Sequence, residues 1–336
     1  MTFSREIRLK SRPQGQPSLD NFEIVSVKLP PPGSGQIQVR NRLMSVDPYM
    51  RGRLFAKNAI NPQSRPFEIG AALTGTAMGE VMASNNPAFK VGDLVKSQYG
   101  WREAYNASAN ELTSVTPDGL PLEAYMAAAG PIGLTAYVGL MRAAAINPGN
   151  VVFVSAAAGA VGATACQIAK LQGCKVIASA GGPAKIRFLK EELGVDEAID
   201  YKAIPDLTAA LHHAAPDGID VYFDNVGGNH LEAALEVLRP RGRIALCGLI
   251  SGYADPDISS GPRNMIRMIT KSLMMMGFEV FDHMDMAPAY HDALKGWHAR
   301  GRFKWVHTFR DGLASAPEAL FAVYRGENLG KMLVRL

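Results

Sequence analysis

The sequence predicts an α/β protein in two parts, an irregular β-rich domain and a doubly wound parallel sheet with helices on both faces. Three observations carry that prediction. At 336 residues the chain exceeds what one core usually organises. From about residue 20 to 120 it alternates short strand-like runs with turns. Beyond about residue 122, apolar strands alternate with amphipathic helices.

The first style is seen in QIQVRNRL, ALTGTAMGEVMA, VGDLVKSQYGW and NELTSVTPDG, with LPPPGSG and NNPAFKVGD as breaks. An alanine-rich stretch, LEAYMAAAGPIGLTAYVGLMRAAAI, follows with helical spacing interrupted at Pro131 and Gly133. Then come VVFVSA, a helix through AVGATACQIAKLQG, KVIASA, a helix through PAKIRFLKEELG, and EAIDY. The series continues with IDVYFDNVG, a helix through NHLEAALEVLRPRG, RIALCG and, after a loop and a helix, LMMMGFEV. Strands this apolar need cover on both faces, and right-handed crossovers make their sheet parallel. After Gly301 the first style returns, so the expected division is 1–123 with 302–336 against 124–301.

Composition removes several function classes. The net charge is only +4 and no run of five Lys or Arg occurs, which argues against a nucleic-acid partner. No stretch of eighteen apolar residues is present and the opening MTFSREIRLKSRP lacks an apolar core, so a cytoplasmic protein without a membrane partner is expected. Cys166, Cys174 and Cys247 form no C-x-x-C pair and read as small core residues. His291 and His298 could share a helix face but lack a third ligand, and no metal site is expected.

The most informative stretch is VSAAAGAVG, residues 154–162, where a strand ends near Ala156 and a helix starts near Ala160 with no bulky side chain between. Helix N–H groups lacking carbonyl partners would point outward there, and the missing Cβ atoms let a pyrophosphate approach the backbone. Ala156, Gly159 and Gly162 replace the three glycines of the common dinucleotide string, and Gly162 would also let the helix pack on the sheet. With Ala160 and Val161 they are candidate cofactor contacts, together with Gly181 and Gly248.

The second strand selects the nucleotide. KVIASAGGPAK ends without the acid that accepts a hydrogen bond from a ribose 2′-hydroxyl, and Lys185 and Arg187 follow instead. Those cations attract a 2′-phosphate, which favours NADP.

The blocks SVDPYMRGR (45–53), YGWREA (99–104), GLTAYVGL (133–140), DNVGG (224–228) and ENLGKMLVRL (327–336) occur in this order around that corner. In this the chain resembles the zinc-independent medium-chain dehydrogenase/reductases, in the group of prostaglandin, 2-alkenal and curcumin reductases. The resemblance implies a GroES-like substrate domain, a Rossmann domain, and NADPH-dependent reduction of carbon–carbon double bonds conjugated to carbonyls, with small enones or enals as substrates. It implies a homodimer joined through the last Rossmann strand, here MMMGFEV. It also places Lys185 and Tyr201 around the 2′-phosphate, Asn225 and Asn328 near the nicotinamide half, Tyr253 beside the reacting groups, and Tyr49 along the cleft.

Zinc-dependent relatives carry a G-H-E segment and a cysteine ligand set, whereas ALTGTAMGEV has no histidine and no cysteine precedes residue 166. Hydride addition to a carbonyl builds an alkoxide that zinc would stabilise; addition to the β-carbon of an enone spreads charge into an enolate, for which hydrogen-bond donors suffice. Tyr253 is the first candidate donor and Tyr49 the second, and Tyr49 reads equally as a packing aromatic. Two rivals remain on sequence alone, a quinone reductase on the same scaffold and a protein that binds NADPH without turnover.

Overall fold

The computed structural model describes residues 2–57, 64–253 and 261–336. Two compact units emerge, one of residues 1–126, 308–327 and 332–336, the other of residues 127–307 and 328–331. The short segment 328–331 thus packs with the second unit while its neighbours on both sides belong to the first.

In the first unit, β1 (Thr2–Leu9) and β2 (Phe22–Leu29) form an antiparallel ribbon with Ile7 opposite Ile24. β3 (Gln36–Ser45), β4 (Ala77–Ser84), β5 (Leu94–Ser97), β6 (Ala104–Ser108) and β7 (Thr113–Ser114) build a larger sheet. It is completed near the C-terminus by β14 (His307–Asp311) and β15 (Lys331–Arg335), giving the order β14-β15-β3-β4-β5-β7 with β6 also on β3. A core of Ile7, Leu9, Met44, Met50, Trp101 and Leu320 fixes the turn that carries Tyr49, because Met50 at its first position is wholly buried.

The second unit holds β8 (Val151–Val154), β9 (Lys175–Ala180), β10 (Glu197–Asp200), β11 (Ile219–Asp224), β12 (Leu238–Leu246) and β13 (Met274–Gly277). They form one parallel sheet in the order β10-β9-β8-β11-β12-β13, the doubly wound pattern with its switch point between β8 and β11. Burial along β9 is nearly continuous after Lys175, as expected of a strand covered on both faces. Pro131, read as an interruption, is the first residue of helix Pro131–Val138, where a missing N–H costs nothing.

Local chemistry secures the helices behind the sheet. Asp206 caps helix Leu207–Ala214 by accepting from the N–H groups of Thr208 and Ala209. Lys271 donates to the carbonyls of Leu235, Glu236 and Leu238, satisfying the end of helix Gly228–Val237. Cys166 and Cys174 are buried, and Cys247 is partly so. His291 Nε2 lies 2.9 Å from the carbonyl oxygen of Ala129, and His298 packs against Trp305. Among the described residues no helix is long and apolar enough to cross a membrane.

Candidate active site

The corner after β8 is tighter than its sequence suggests. The strand ends at Val154, two residues before Ala156, and Ala156 takes a positive φ of 45°. That turn sends the chain under helix Ala160–Leu171, whose N-cap is Gly159 and carries no side-chain cap. The N–H groups of Ala160, Val161 and Gly162 lack intrahelical acceptors by virtue of their position in the first turn. A Cβ on Gly162 would stand 2.4 Å from the Ala156 carbonyl oxygen and 2.8 Å from Ala157 Cα. Since backbone cannot yield as a flexible side chain does, glycine is required here for the helix to pack this closely on the strand end.

A second glycine completes the corner from the far end of the chain. Gly330 donates its N–H to the Ala158 carbonyl at 2.8 Å and pairs with Gly159 in a parallel bridge. Its φ is 60°, and a Cβ there would fall 2.0 Å from the Val306 carbonyl oxygen. Asn328 Nδ2 donates to the Gly330 carbonyl at 2.7 Å. That bond sets the amide's orientation and leaves its oxygen as an acceptor.

At the end of β9 the structure gathers Gly181, Lys185 and Tyr201, and adds a residue that the sequence reading missed. The Lys202 stem runs beside Gly181, with Cε 2.7 Å from where a Cβ would be. Burial chiefly, and then the Lys202 charge, lower the affinity of Lys185 for its proton. Asp200 Oδ1 accepts from the N–H groups of Gly182 at 2.9 Å and Lys202 at 3.1 Å, which shapes the turn after β9. Tyr201 is 39 % exposed and meets the His230 ring edge-on, with centroids 5.1 Å apart. His230 is buried, its Nε2 has no hydrogen-bond partner among the described residues, and burial pulls its pKa down to about 4.

The third part of the site lies where β8 and β11 end side by side. Asn225 donates from Nδ2 to the Ser155 carbonyl at 2.7 Å and from its backbone N–H to Ser155 Oγ at 3.0 Å. Asp224 is wholly buried and accepts from Tyr222 Oη, Val226 N and Gly227 N at 2.7, 2.8 and 2.7 Å. Burial raises its pKa against the pull of those hydrogen bonds. Gly248 bonds to the Asp224 carbonyl and lies against Asn225. Ser251 donates to the Val226 carbonyl, a loop role. Tyr253 ends the 3-10 turn Ile250–Tyr253, and its side chain lies outside the described residues.

In the first unit, Tyr49 precedes the helical turn Met50–Arg53 and is 43 % exposed. Burial and, secondarily, the Asp47 charge push its pKa well above the usual tyrosine value, against the opposing pull of Arg53. The phenol therefore keeps its proton through the neutral range. Ser45 Oγ donates to Asp47 Oδ2.

What sequence reasoning missed here is Lys202, His230, and Asp224 with Ser155 and Tyr222. Lys202 had a signal, since it follows Tyr201 directly. The others depend on contacts between distant residues.

Two family models match the chain, one described as the N-terminal domain of oxidoreductase over residues 5–115 and one as a zinc-binding dehydrogenase over residues 160–295. The second description names zinc; among the described residues no three His, Cys, Asp or Glu side chains are grouped so as to hold a metal ion. The NADP(+)-dependent 2-alkenal reductase of Nicotiana tabacum is 39 % identical, over 98 % of this chain and 97 % of its own. Prostaglandin reductase 1 of Bos taurus is 37 % identical, over 100 % of both chains. The crystal structure of CurA from Vibrio vulnificus in complex with NADPH superposes with a TM-score of 0.90 at 35 % identity, covering 98 % of each chain. The chain belongs to the medium-chain dehydrogenase/reductase family, in the group of the prostaglandin, 2-alkenal and curcumin reductases.

Proposed function

We propose that the protein is a cytoplasmic, homodimeric NADPH-dependent reductase of the carbon–carbon double bond in α,β-unsaturated ketones and aldehydes. The observation that carries this is the uncapped helix corner after β8, where only glycine fits at 162, together with the cations Lys185 and Lys202 after the next strand. Relatives named as 2-alkenal, prostaglandin and curcumin reductases over almost the whole chain support the choice of acceptor.

The N–H groups of Ala160, Val161 and Gly162 would hold the pyrophosphate, and Lys185, Lys202 and Tyr201 the 2′-phosphate. Asn225 and Asn328, each with its amide nitrogen already committed, would present acceptor oxygens to the nicotinamide half. When bound, NADPH supplies a hydride to the β-carbon of the acceptor. Tyr253 and Tyr49 are the proposed donors to the acceptor's carbonyl oxygen, where an enolate's charge collects; such donors are typically worth about 3 kcal/mol each. In this reading residues 1–123 and 302–336 form the substrate domain and 124–301 the cofactor domain.

The homodimer reading draws support from β13, an edge strand flanked by exposed Met265, Ile266, Ile269 and Met274. Light scattering of the eluting protein tests it, with a monomer as the opposing result.

The test of function is NADPH oxidation against an enone, a 2-alkenal and a quinone, with product analysis. A saturated ketone or aldehyde is expected. An allylic alcohol, or turnover with quinone alone, would overturn the reading.

A further inference from the structure

Tyr222 and Asp224 lie at the end of β11, Ser155 follows β8 beside them, and all three are wholly buried. Groups sealed from water must satisfy one another, so each of their hydrogens can be assigned. Tyr222 has one phenolic hydrogen and two neighbours within reach, Asp224 Oδ1 at 2.7 Å and Ser155 Oγ at 3.0 Å. Asp224 Oδ1 also receives the N–H groups of Val226 and Gly227, and an oxygen on which such donors converge carries no hydrogen of its own. It can only accept. Tyr222 therefore donates to Asp224.

The Ser155 hydrogen comes next. Tyr222 Oη is its nearest acceptor at 3.0 Å, ahead of Asp224 Oδ1 at 3.4 Å and the Phe223 carbonyl at 3.5 Å. Donation to Tyr222 leaves the serine oxygen to accept the backbone N–H of Asn225 at 3.0 Å. Hydrogen bonds thus run in series from Asn225 through Ser155 and Tyr222 to Asp224, each strengthening the next. Ser155 also holds the Asn225 side chain, because Nδ2 donates to its carbonyl at 2.7 Å, and a carbonyl that only accepts fixes which way the amide faces. Asn225 Oδ1 is left without a partner among the described residues.

We propose that Tyr222 and Ser155 are positioning residues for the coenzyme: anchored on the buried Asp224 carboxylate, their hydrogen bonds in series set the Asn225 amide in advance, so that its Oδ1 meets the nicotinamide half of NADPH already ordered. This rests on the reductase reading above and on the place it gives Asn225. An acceptor fixed beforehand loses no freedom when the ligand arrives, and that saving appears as affinity. The effect is confined to the nicotinamide half. The adenosine half is assigned to Lys185, Lys202 and Tyr201, which follow β9 and β10.

The experiment compares the dissociation constants of NADPH and of 2′,5′-ADP, which lacks the nicotinamide half, across variants of the full chain. Tyr222→Phe removes one oxygen and keeps the ring that stacks on Phe153 with centroids 5.0 Å apart. It is expected to weaken NADPH about tenfold and leave 2′,5′-ADP unchanged. Ser155→Ala should do the same, and Ser155→Thr, which keeps a hydroxyl, should recover part of the loss. The pair Tyr222→Phe with Ser155→Ala should lose no more than Ser155→Ala alone, since a series already broken is not broken again. If Tyr222→Phe fails to fold, Ser155→Ala carries the same comparison. A merely structural role would weaken both nucleotides together, and equal weakening, or none, overturns the proposal. A second readout needs no ligand: in protein labelled with 15N, the Asn225 backbone amide signal should move in Tyr222→Phe, and an unmoved signal overturns the inference. Asn225→Ala with wild-type affinity for NADPH would overturn the place given to Asn225 and this inference with it. A wild type that binds NADPH yet reduces no enone overturns the reductase reading instead, and the comparison of the two nucleotides still decides the role of Tyr222 and Ser155.

Discussion

Lys202 and Gly181 are locked in register: the lysine stem occupies the space a Cβ at Gly181 would need, with its Cε only 2.7 Å from that position. The Lys202 charge, after burial, lowers the proton affinity of Lys185, and an anion bound beside them would reverse that effect. Lys185→Ala and Lys202→Ala should each weaken binding of 2′,5′-ADP by about tenfold, the equivalent of roughly 1.4 kcal/mol, and leave 5′-AMP unaffected. Titration calorimetry with both nucleotides checks this, and equal losses for the two would remove the lysines from the 2′-phosphate.

Gly162 makes a sharper prediction. Its neighbours within 3 Å are backbone atoms of Ala156 and Ala157. Gly162→Ala must therefore push the corner apart, and a destabilisation of about 1–3 kcal/mol with loss of NADPH binding is expected. Denaturant titration and NADPH fluorescence measure the two effects. A variant of unchanged stability and affinity would mean that the corner yields more easily than its geometry indicates.

His230 gives the protein an acid-sensitive point. Its pKa is about 4 in the folded chain against roughly 6.5 when unfolded. Between those values the unfolded chain binds the extra proton, so stability is full above about pH 6.5 and falls as the pH drops towards 4. The total at stake is about 3 kcal/mol. In His230→Leu the decline of Tm from pH 6.5 to 4 should be shallower than in wild type. Parallel slopes would show that other groups govern the acid limb.

Tyr253→Phe is expected to lower kcat for an enone by about a hundredfold with little change in NADPH affinity. Stopped-flow reduction with a separate binding titration distinguishes the two quantities. An unaltered kcat would take Tyr253 out of the chemistry.

The parallel sheet was readable because its strands are uniformly apolar and its helices are amphipathic, two local signals that hold without knowledge of the rest of the chain. KVIASA is β9 residue for residue. The corner at 154–162 was readable for a related reason: a strand, two glycines and a helix lie consecutively. What stayed hidden involves partners far apart in sequence. Gly330 meets Ala158, and Tyr201 meets His230. Nor does the sequence reveal that Asp224 is sealed among Tyr222, Ser155 and backbone N–H groups, since an aspartate after a strand is ordinarily solvated.

The bridge between Gly159 and Gly330 bears on how the protein is made. One half of it is near the middle of the polypeptide and the other lies six residues from Leu336. The sheet around β8 can assemble while the chain is still emerging from the ribosome, yet the corner beside it cannot close until Gly330, 171 positions after Gly159, has followed. A nascent or prematurely terminated chain would therefore carry a formed sheet with an unfinished socket, blind to the coenzyme that later stabilises it.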